Sequence, residues 1–236
     1  MNFYSHIAVA SLFTEDRRVA LGAVLPDLAS LVGAKPPRTD CPRLRRGYAL
    51  HHATDRIFHA VDPFRRAEVA ESQELQRLGM RRGTARATAH VGLEIVLDEA
   101  LADDVPTRQL LGETLISATP EALGQYVKWS ADGEAAHFEA LRQRLWTLTK
   151  GLPPPLNATL LAERLSRTLE HRPKLAVRAD DRAILNCWAD GVKQRWCNVW
   201  PDVMAQVVSD LSEAHWYVSP ALSRQLRFRR ASSNEV

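Results

Sequence analysis

An all-α, multi-helix bundle of about nine to ten helices is the fold class this sequence predicts. Three observations predict it. Apolar residues recur at helical spacing through most of the 236 residues. Strand-like alternation is scarce. Helix start signals, such as Asp62-Pro63 and Thr119-Pro120-Glu121, punctuate the chain at intervals that suit ordinary helices. With 45% hydrophobic and 25% charged residues, the composition is that of a globular protein.

Residues 2–12 carry helical apolar spacing. Thr14 is expected to cap a second helix through RRVALGAVLPDLASL, with Pro26 as a kink or break. The stretch GAKPPRTDCP, 33–42, reads as a loop, and a helix follows from Pro42 to His59. Asp62-Pro63 reads as an N-cap with Pro at the first helical position, opening a helix to Leu78 that Gly79 closes. The next helix, Arg82 to Leu101, has Ala85, Ala89, Leu93, Val96 and Leu97 to bury. Further helices are expected at 107–117, 120–130 and 133–149. KGLPPPLN, 150–157, is a stiff break. It divides a helical domain, 1–150, from a C-terminal helical extension, 157–227, with helices at 157–171, 180–199 and 201–215. Residues 228–236 are expected to be a disordered tail.

Net charge is only +3, too small an excess to argue for nucleic acid, though it suits an acidic partner. Cys41, Cys187 and Cys197 are odd in number and lack CxxC spacing. A disulfide framework and a zinc knuckle are therefore not expected, and a reducing cytoplasm is. No apolar run approaches the ~18 residues of a membrane span, and the first residues lack the basic start of a signal peptide. GxSxG, P-loop and GxGxxG patterns are absent. Trp188, Trp196, Trp200 and Trp216 recur at helical spacings and read as core and interface aromatics rather than a base-stacking platform.

The chemistry lies in two polar ladders of four-residue spacing. One is His51, Asp55 and His59; the other is Arg82, Arg86, His90, Glu94 and Asp98. Four residues advance an α-helix by roughly 400°, so each ladder is one slowly drifting stripe. Facing stripes would bring imidazoles and carboxylates into a shared crevice suited to Mn, Fe, Zn or Mg. His6 and Asp27 are further ligand candidates, because each interrupts an apolar helix. The competing explanation is a surface ladder of i, i+4 ion pairs, worth only ~0.2–0.5 kcal/mol each. Clustering weighs against it, since five of the eight histidines lie between residues 6 and 90. His137, His171 and His215 read as ordinary surface or core histidines, and His52, about 100° around the helix from His51, lines the pocket at most. Arg81, Arg82 and Arg86 lead into the second ladder, where guanidinium groups suit phosphate oxygens.

Four segments in order, MNFYSHIAVASL, LGAVLPDLAS, GYALHHATDRIFHAVDPFR and RRGTARATAHVGLEIVLDEAL, resemble the acyl carrier protein phosphodiesterases. These are all-helical proteins related to the HD-domain metal-dependent phosphohydrolases. The family pattern falls here on His6, Asp27, His51, Asp55, Glu94 and Asp98. The chain departs from it at His52, His59, Glu94 and Glu99. The resemblance implies an HD-like fold and a divalent metal, with Mn²⁺ first and Fe, Zn or Mg as alternatives. It also implies hydrolysis of the phosphodiester that joins 4′-phosphopantetheine to a serine of holo acyl carrier protein. In that expectation those six residues hold the metal. His52, His59 or His90 gives a proton to the leaving alkoxide, and Arg82 and Arg86 hold the phosphate or an acidic carrier protein. The alternative expectation is a non-catalytic, metal-containing helical protein that binds an acidic partner.

Overall fold

The computed structural model describes residues 1–151, 156–214 and 216. Among them are eleven helices: α1 (Phe3–Phe13), α2 (Arg17–Leu31), α3 (Pro42–Phe58), α4 (Asp62–Arg77), α5 (Arg82–Ala102), α6 (Val105–Ser117), α7 (Pro120–Gly124), α8 (Glu134–Thr149), α9 (Ala158–Leu169), α10 (Asp181–Cys197) and α11 (Trp200–Glu213). The only strands among the described residues are β1 (Arg38–Thr39) and β2 (Val127–Lys128). The fold class is all-α, as the apolar spacing predicts, with one or two helices more than expected.

Local chemistry sets most of the boundaries. Thr14 is not the cap of α2 but the residue that ends α1; its Oγ1 accepts the Asp16 N–H, and Asp16 caps α2 by accepting from the Arg18 N–H. Asp carries the stronger acceptor for the orphan amides of a first turn. Pro26 neither breaks nor ends α2, which continues to Leu31. Helix α4 begins one residue early, at Asp62. It ends in a Schellman turn in which the Met80 N–H reaches the Leu75 carbonyl and Gly79 takes a φ of 103°. The helix expected over 120–130 stops at Gly124, and β2 pairs antiparallel with β1 inside the expected loop 33–42. That pairing joins residues far apart in sequence, and the Thr39 hydroxyl reinforces it by donating to the Tyr126 carbonyl at 2.6 Å. The cysteines are free, with Cys41 buried and Cys187 and Cys197 exposed.

The described residues fall into two compact units. One holds residues 1–57, 101–151, 208–214 and 216; the other holds 58–100 and 156–207. Both therefore combine early and late segments. The proposed break at 150–157 lies partly on residues 152–155, outside the described chain, as do His215 and the tail 228–236.

The first unit is built on two helices apolar nearly all round. In α1, eight residues from Ser5 to Phe13 are buried, and in α2 the run Val19–Pro26 is buried without a gap. A helix with no polar side belongs in a core. Ile7, Val24, Leu25, Leu28, Leu44, Leu111, Leu115 and Phe138 form that core, drawn from α1, α2, α3, α6 and α8. Arg142 ties α8 to the end of α6 by donating to the Leu115 carbonyl while it pairs with Glu139. Helices α2 and α3 cross at Gly22 and Gly47. A Cβ on Gly47 would sit 2.6 Å from the Gly22 Cα, so only glycine allows this approach.

The second unit has more conventional amphipathic helices. Helix α9 buries Leu161, Leu165 and Leu169 along one stripe, each worth roughly 1.5–3 kcal/mol. Trp188 and Trp196 of α10 are almost fully buried, as their spacing predicts. Glu71 of α4 is buried under them. It accepts the Trp188 indole N–H at 2.7 Å and both donors of the Arg195 fork at 2.8 and 2.7 Å. Glu99 of α5 accepts from Lys193 at 2.9 Å and from the Leu156 N–H, which joins α5 to α10.

Candidate metal centre

Helices α1, α2 and α3 bring His6, Asp27 and His51 together. One ligand atom from each lies within 4.8 Å of the others. His6 Nε2 stands 3.7 Å from Asp27 Oδ2 and 3.2 Å from Asp55 Oδ1. His51 Nε2 stands 3.5 Å from Asp55 Oδ2, and the two imidazoles stack with centroids 4.0 Å apart. Donors that share one ion at 2.0–2.2 Å are separated from each other by roughly 3.0–3.6 Å at octahedral and tetrahedral angles. A hydrogen bond spans only about 2.7–3.2 Å. The 3.5 Å separation falls inside the range for a shared ion and the 3.7 Å one just beyond it, and both are longer than a direct hydrogen bond.

The crossing at Gly22 and Gly47 does more than save space. One residue past Gly22, the Ala23 carbonyl accepts His51 Nδ1–H at 2.9 Å. That bond fixes the tautomer and leaves a lone pair on Nε2, the nitrogen that faces Asp55. Burial lowers the His51 pKa to about 3, with neighbouring His6 adding to the shift. A neutral imidazole is what a metal requires. Asp55 stays ionised: burial alone would raise its carboxyl, but the hydrogen bond from His6 and the Met1 ammonium, 2.9 Å from Oδ1, hold it well below the usual carboxylate range. His6 is buried and Asp27 and Asp55 are partly exposed. His6, Asp27 and His51 could thus hold a metal ion, with the Asp55 carboxylate beside both imidazoles.

A second group lies within the other unit. His59, His90 and Glu94 also have ligand atoms within 4.8 Å of one another. Glu94 Oε1 is 3.0 Å from His59 Nε2 and 3.4 Å from His90 Nε2. Burial would raise the Glu94 carboxyl, yet the hydrogen bonds from His59 and His90 hold it well below its ordinary value.

The residues singled out from the sequence thus fall into two groups. The ladder of α3 supplies His51 and Asp55 to one and leads to His59 in the other. His52 is exposed, edge-on to His51 at 5.2 Å. Asp98 is buried one turn beyond Glu94 but does not join its group. Arg82 and Arg86 are exposed, and Arg86 Nε is 3.7 Å from Glu68. His137 and His171 are exposed, as expected. Sequence reasoning passed over Glu68, whose Oε1 lies 3.4 Å from His90 Nδ1. It sits in a helix rich in charge, where nothing local separates it from its neighbours.

No protein-family model, curated protein or solved structure matches this chain. Among the described residues, no helix is long and apolar enough to cross a membrane.

Proposed function

We propose that the chain is a divalent-metal-dependent phosphoester hydrolase, with the 4′-phosphopantetheine diester of a holo carrier protein as its leading substrate. The single observation that carries the metal is the bond from His51 Nδ1 to the Ala23 carbonyl, which aims an unprotonated Nε2 at the carboxylates. His6, Asp27, His51 and Asp55 would hold the ion, with Mn²⁺ favoured by the carboxylates and Fe²⁺ or Zn²⁺ by the imidazoles. A divalent cation there supplies Lewis acidity toward a phosphoryl oxygen and lowers the pKa of a bound water.

The chain's own residues do the rest. Asp55 compensates positive charge beside both imidazoles. His52, exposed and edge-on to His51, would protonate a leaving alkoxide. Arg82 and Arg86, exposed in the other unit, would offer guanidinium groups to an acidic carrier protein. The ordered similarity of four segments to the acyl carrier protein phosphodiesterases supports the substrate.

The test combines metal analysis with mass spectrometry. Purified protein should hold a divalent metal that His51→Ala and Asp27→Asn both lose. Incubated with Mn²⁺ and holo acyl carrier protein, it should remove the mass of phosphopantetheine. A metal-free wild-type protein with no affinity for Mn²⁺ refutes the reading. Cleavage of small phosphodiesters with the carrier protein left intact keeps the chemistry and removes the substrate.

One observation favours the alternative of a non-catalytic binder of an acidic partner. A cavity of about 800 Å³ in the first unit is lined by Arg18, Arg38, Arg43 and Lys128 against a single acid, Asp40. Arg18 is held over the Tyr126 ring at 4.6 Å. Carrier-protein binding that is lost in Arg38→Glu, together with no turnover of any phosphoester, would decide for it.

A further inference from the structure

We propose that His59, His90 and Glu94 form a second divalent-cation site, with Glu68 as the carboxylate that orients His90. The proposal stands apart from the phosphoester reading, because it uses only residues 58–100 and needs no substrate.

Geometry comes first. Two imidazole nitrogens converge on one oxygen, Glu94 Oε1, at 3.0 and 3.4 Å, from rings nearly parallel at 24° with centroids 4.9 Å apart. The 3.4 Å separation is a stretched hydrogen bond and an ordinary distance for two ligands of one ion. Stacked imidazoles with both nitrogens on the same side are a poor arrangement when both rings are protonated, because their charges repel. They are a good one when the rings share a cation as neutral donors.

Orientation is the second argument. His90 presents Nε2 to Glu94 and Nδ1 to Glu68, 3.4 Å away. A carboxylate on the far nitrogen of a histidine fixes the N–H there and frees the near nitrogen to ligate, as metal-bound histidines generally require. Glu68 would then be a positioning residue rather than a ligand.

Support and access are the third. Glu94 is buried at 9% exposure, while the His59 and His90 side chains are exposed by 37% and 34%. The floor is therefore fixed and the mouth is open to water. Phe64 packs edge-on against both rings, with centroids at 5.8 and 5.6 Å, and limits their freedom to turn away. Two imidazoles and one carboxylate select Zn²⁺, Fe²⁺ or Mn²⁺ over Mg²⁺ or Ca²⁺. Three protein ligands leave at least one position for water, which marks the site as reactive rather than purely structural.

The competing explanation is a pair of plain His–Glu ion pairs that bind no metal. Full-length protein, stripped with chelator and dialysed, is titrated with Zn²⁺ and with Co²⁺. Calorimetry reads the stoichiometry and the Co²⁺ ligand-field bands read the ligands. Wild type should bind one equivalent more than His90→Ala and Glu94→Gln, and His51→Ala should keep that equivalent with its Co²⁺ spectrum intact. Glu68→Gln should keep the stoichiometry and bind roughly 10- to 100-fold more weakly. His59→Gln, on the open rim, should fold normally by circular dichroism and still lose the bands, which separates ligation from a folding defect. The proposal is overturned if wild type takes up no cation that His59→Gln fails to take up. It is equally overturned if the Glu94→Gln and wild-type isotherms coincide.

Discussion

Replacing Gly47 by alanine should weaken metal binding although Gly47 has no side chain to offer a ligand atom. A Cβ there would lie 2.6 Å from the Gly22 Cα, against an ordinary contact of 3.4–4 Å, so α2 and α3 must part by about 1 Å. The His51 Nδ1 to Ala23 carbonyl distance, now 2.9 Å, would open to about 3.9 Å, beyond hydrogen-bond range. Overpacking of this kind costs about 1–3 kcal/mol, and the lost hydrogen bond adds about 1 kcal/mol. At roughly 2–4 °C per kcal/mol for a chain of this size, the melting temperature should fall by about 4–16 °C. Released from Ala23, the imidazole can rotate and change tautomer, so Mn²⁺ affinity should drop about tenfold or more. Differential scanning calorimetry and Mn²⁺ titration of Gly47→Ala and Gly22→Ala read both effects. A variant that melts within 2 °C of wild type and binds Mn²⁺ equally well would refute the link between the crossing and the site.

Acid should destabilise the metal-free protein through His51. Its folded pKa, about 3, lies below the ordinary 6.5, so the unfolded chain takes up the proton first. Stability is then whole above pH 6.5 and falls as pH drops toward 3, at up to about 1.4 kcal/mol per pH unit. Urea titrations at pH 7 and pH 5 should show a loss of about 2 kcal/mol that is smaller in His51→Asn, and equal losses would sink the assignment. His90 acts in the opposite sense: the hydrogen bond to Glu94 raises its pKa, so its contribution is present below the ordinary value and disappears as pH climbs through the raised one. Glu71→Ala should cost about 3 kcal/mol, because it strands the Trp188 N–H and the Arg195 fork in or beside the core. Unfolding by urea checks it, and a loss below 1 kcal/mol would show the hub to be dispensable.

Helix content and most helix ends were legible because they depend on local chemistry. Asp62-Pro63, Gly79 and the apolar stripe of α9 announce themselves within a few residues. The strand pair was not legible, since nothing near Arg38 points to Lys128. The candidate site divides along the same line. Four-residue spacing placed His51 with Asp55 and His90 with Glu94, because one helix fixes both members of each pair. His6 and Asp27 stood out as polar interruptions of helices otherwise apolar. That His59 faces Glu94, and that Glu68 backs His90, depends on how α3, α4 and α5 are arranged, which no spacing encodes. The Gly22–Gly47 crossing was invisible for the same reason, since a glycine inside a helix does not announce its neighbour.

Phe64 lies edge-on to His90 on one side and to Trp196, at 6.1 Å, on the other. The Trp196 indole is buried, and its N–H has no hydrogen-bond partner among the described residues. A fluorophore in such a dry setting emits toward the blue and is sensitive to small displacements of the ring against it. An ion bound by His59 and His90 that displaces Phe64 should therefore shift the Trp196 emission. Filling of the His59–His90 mouth should then be readable in unlabelled material as an emission shift that Trp196→Phe lacks.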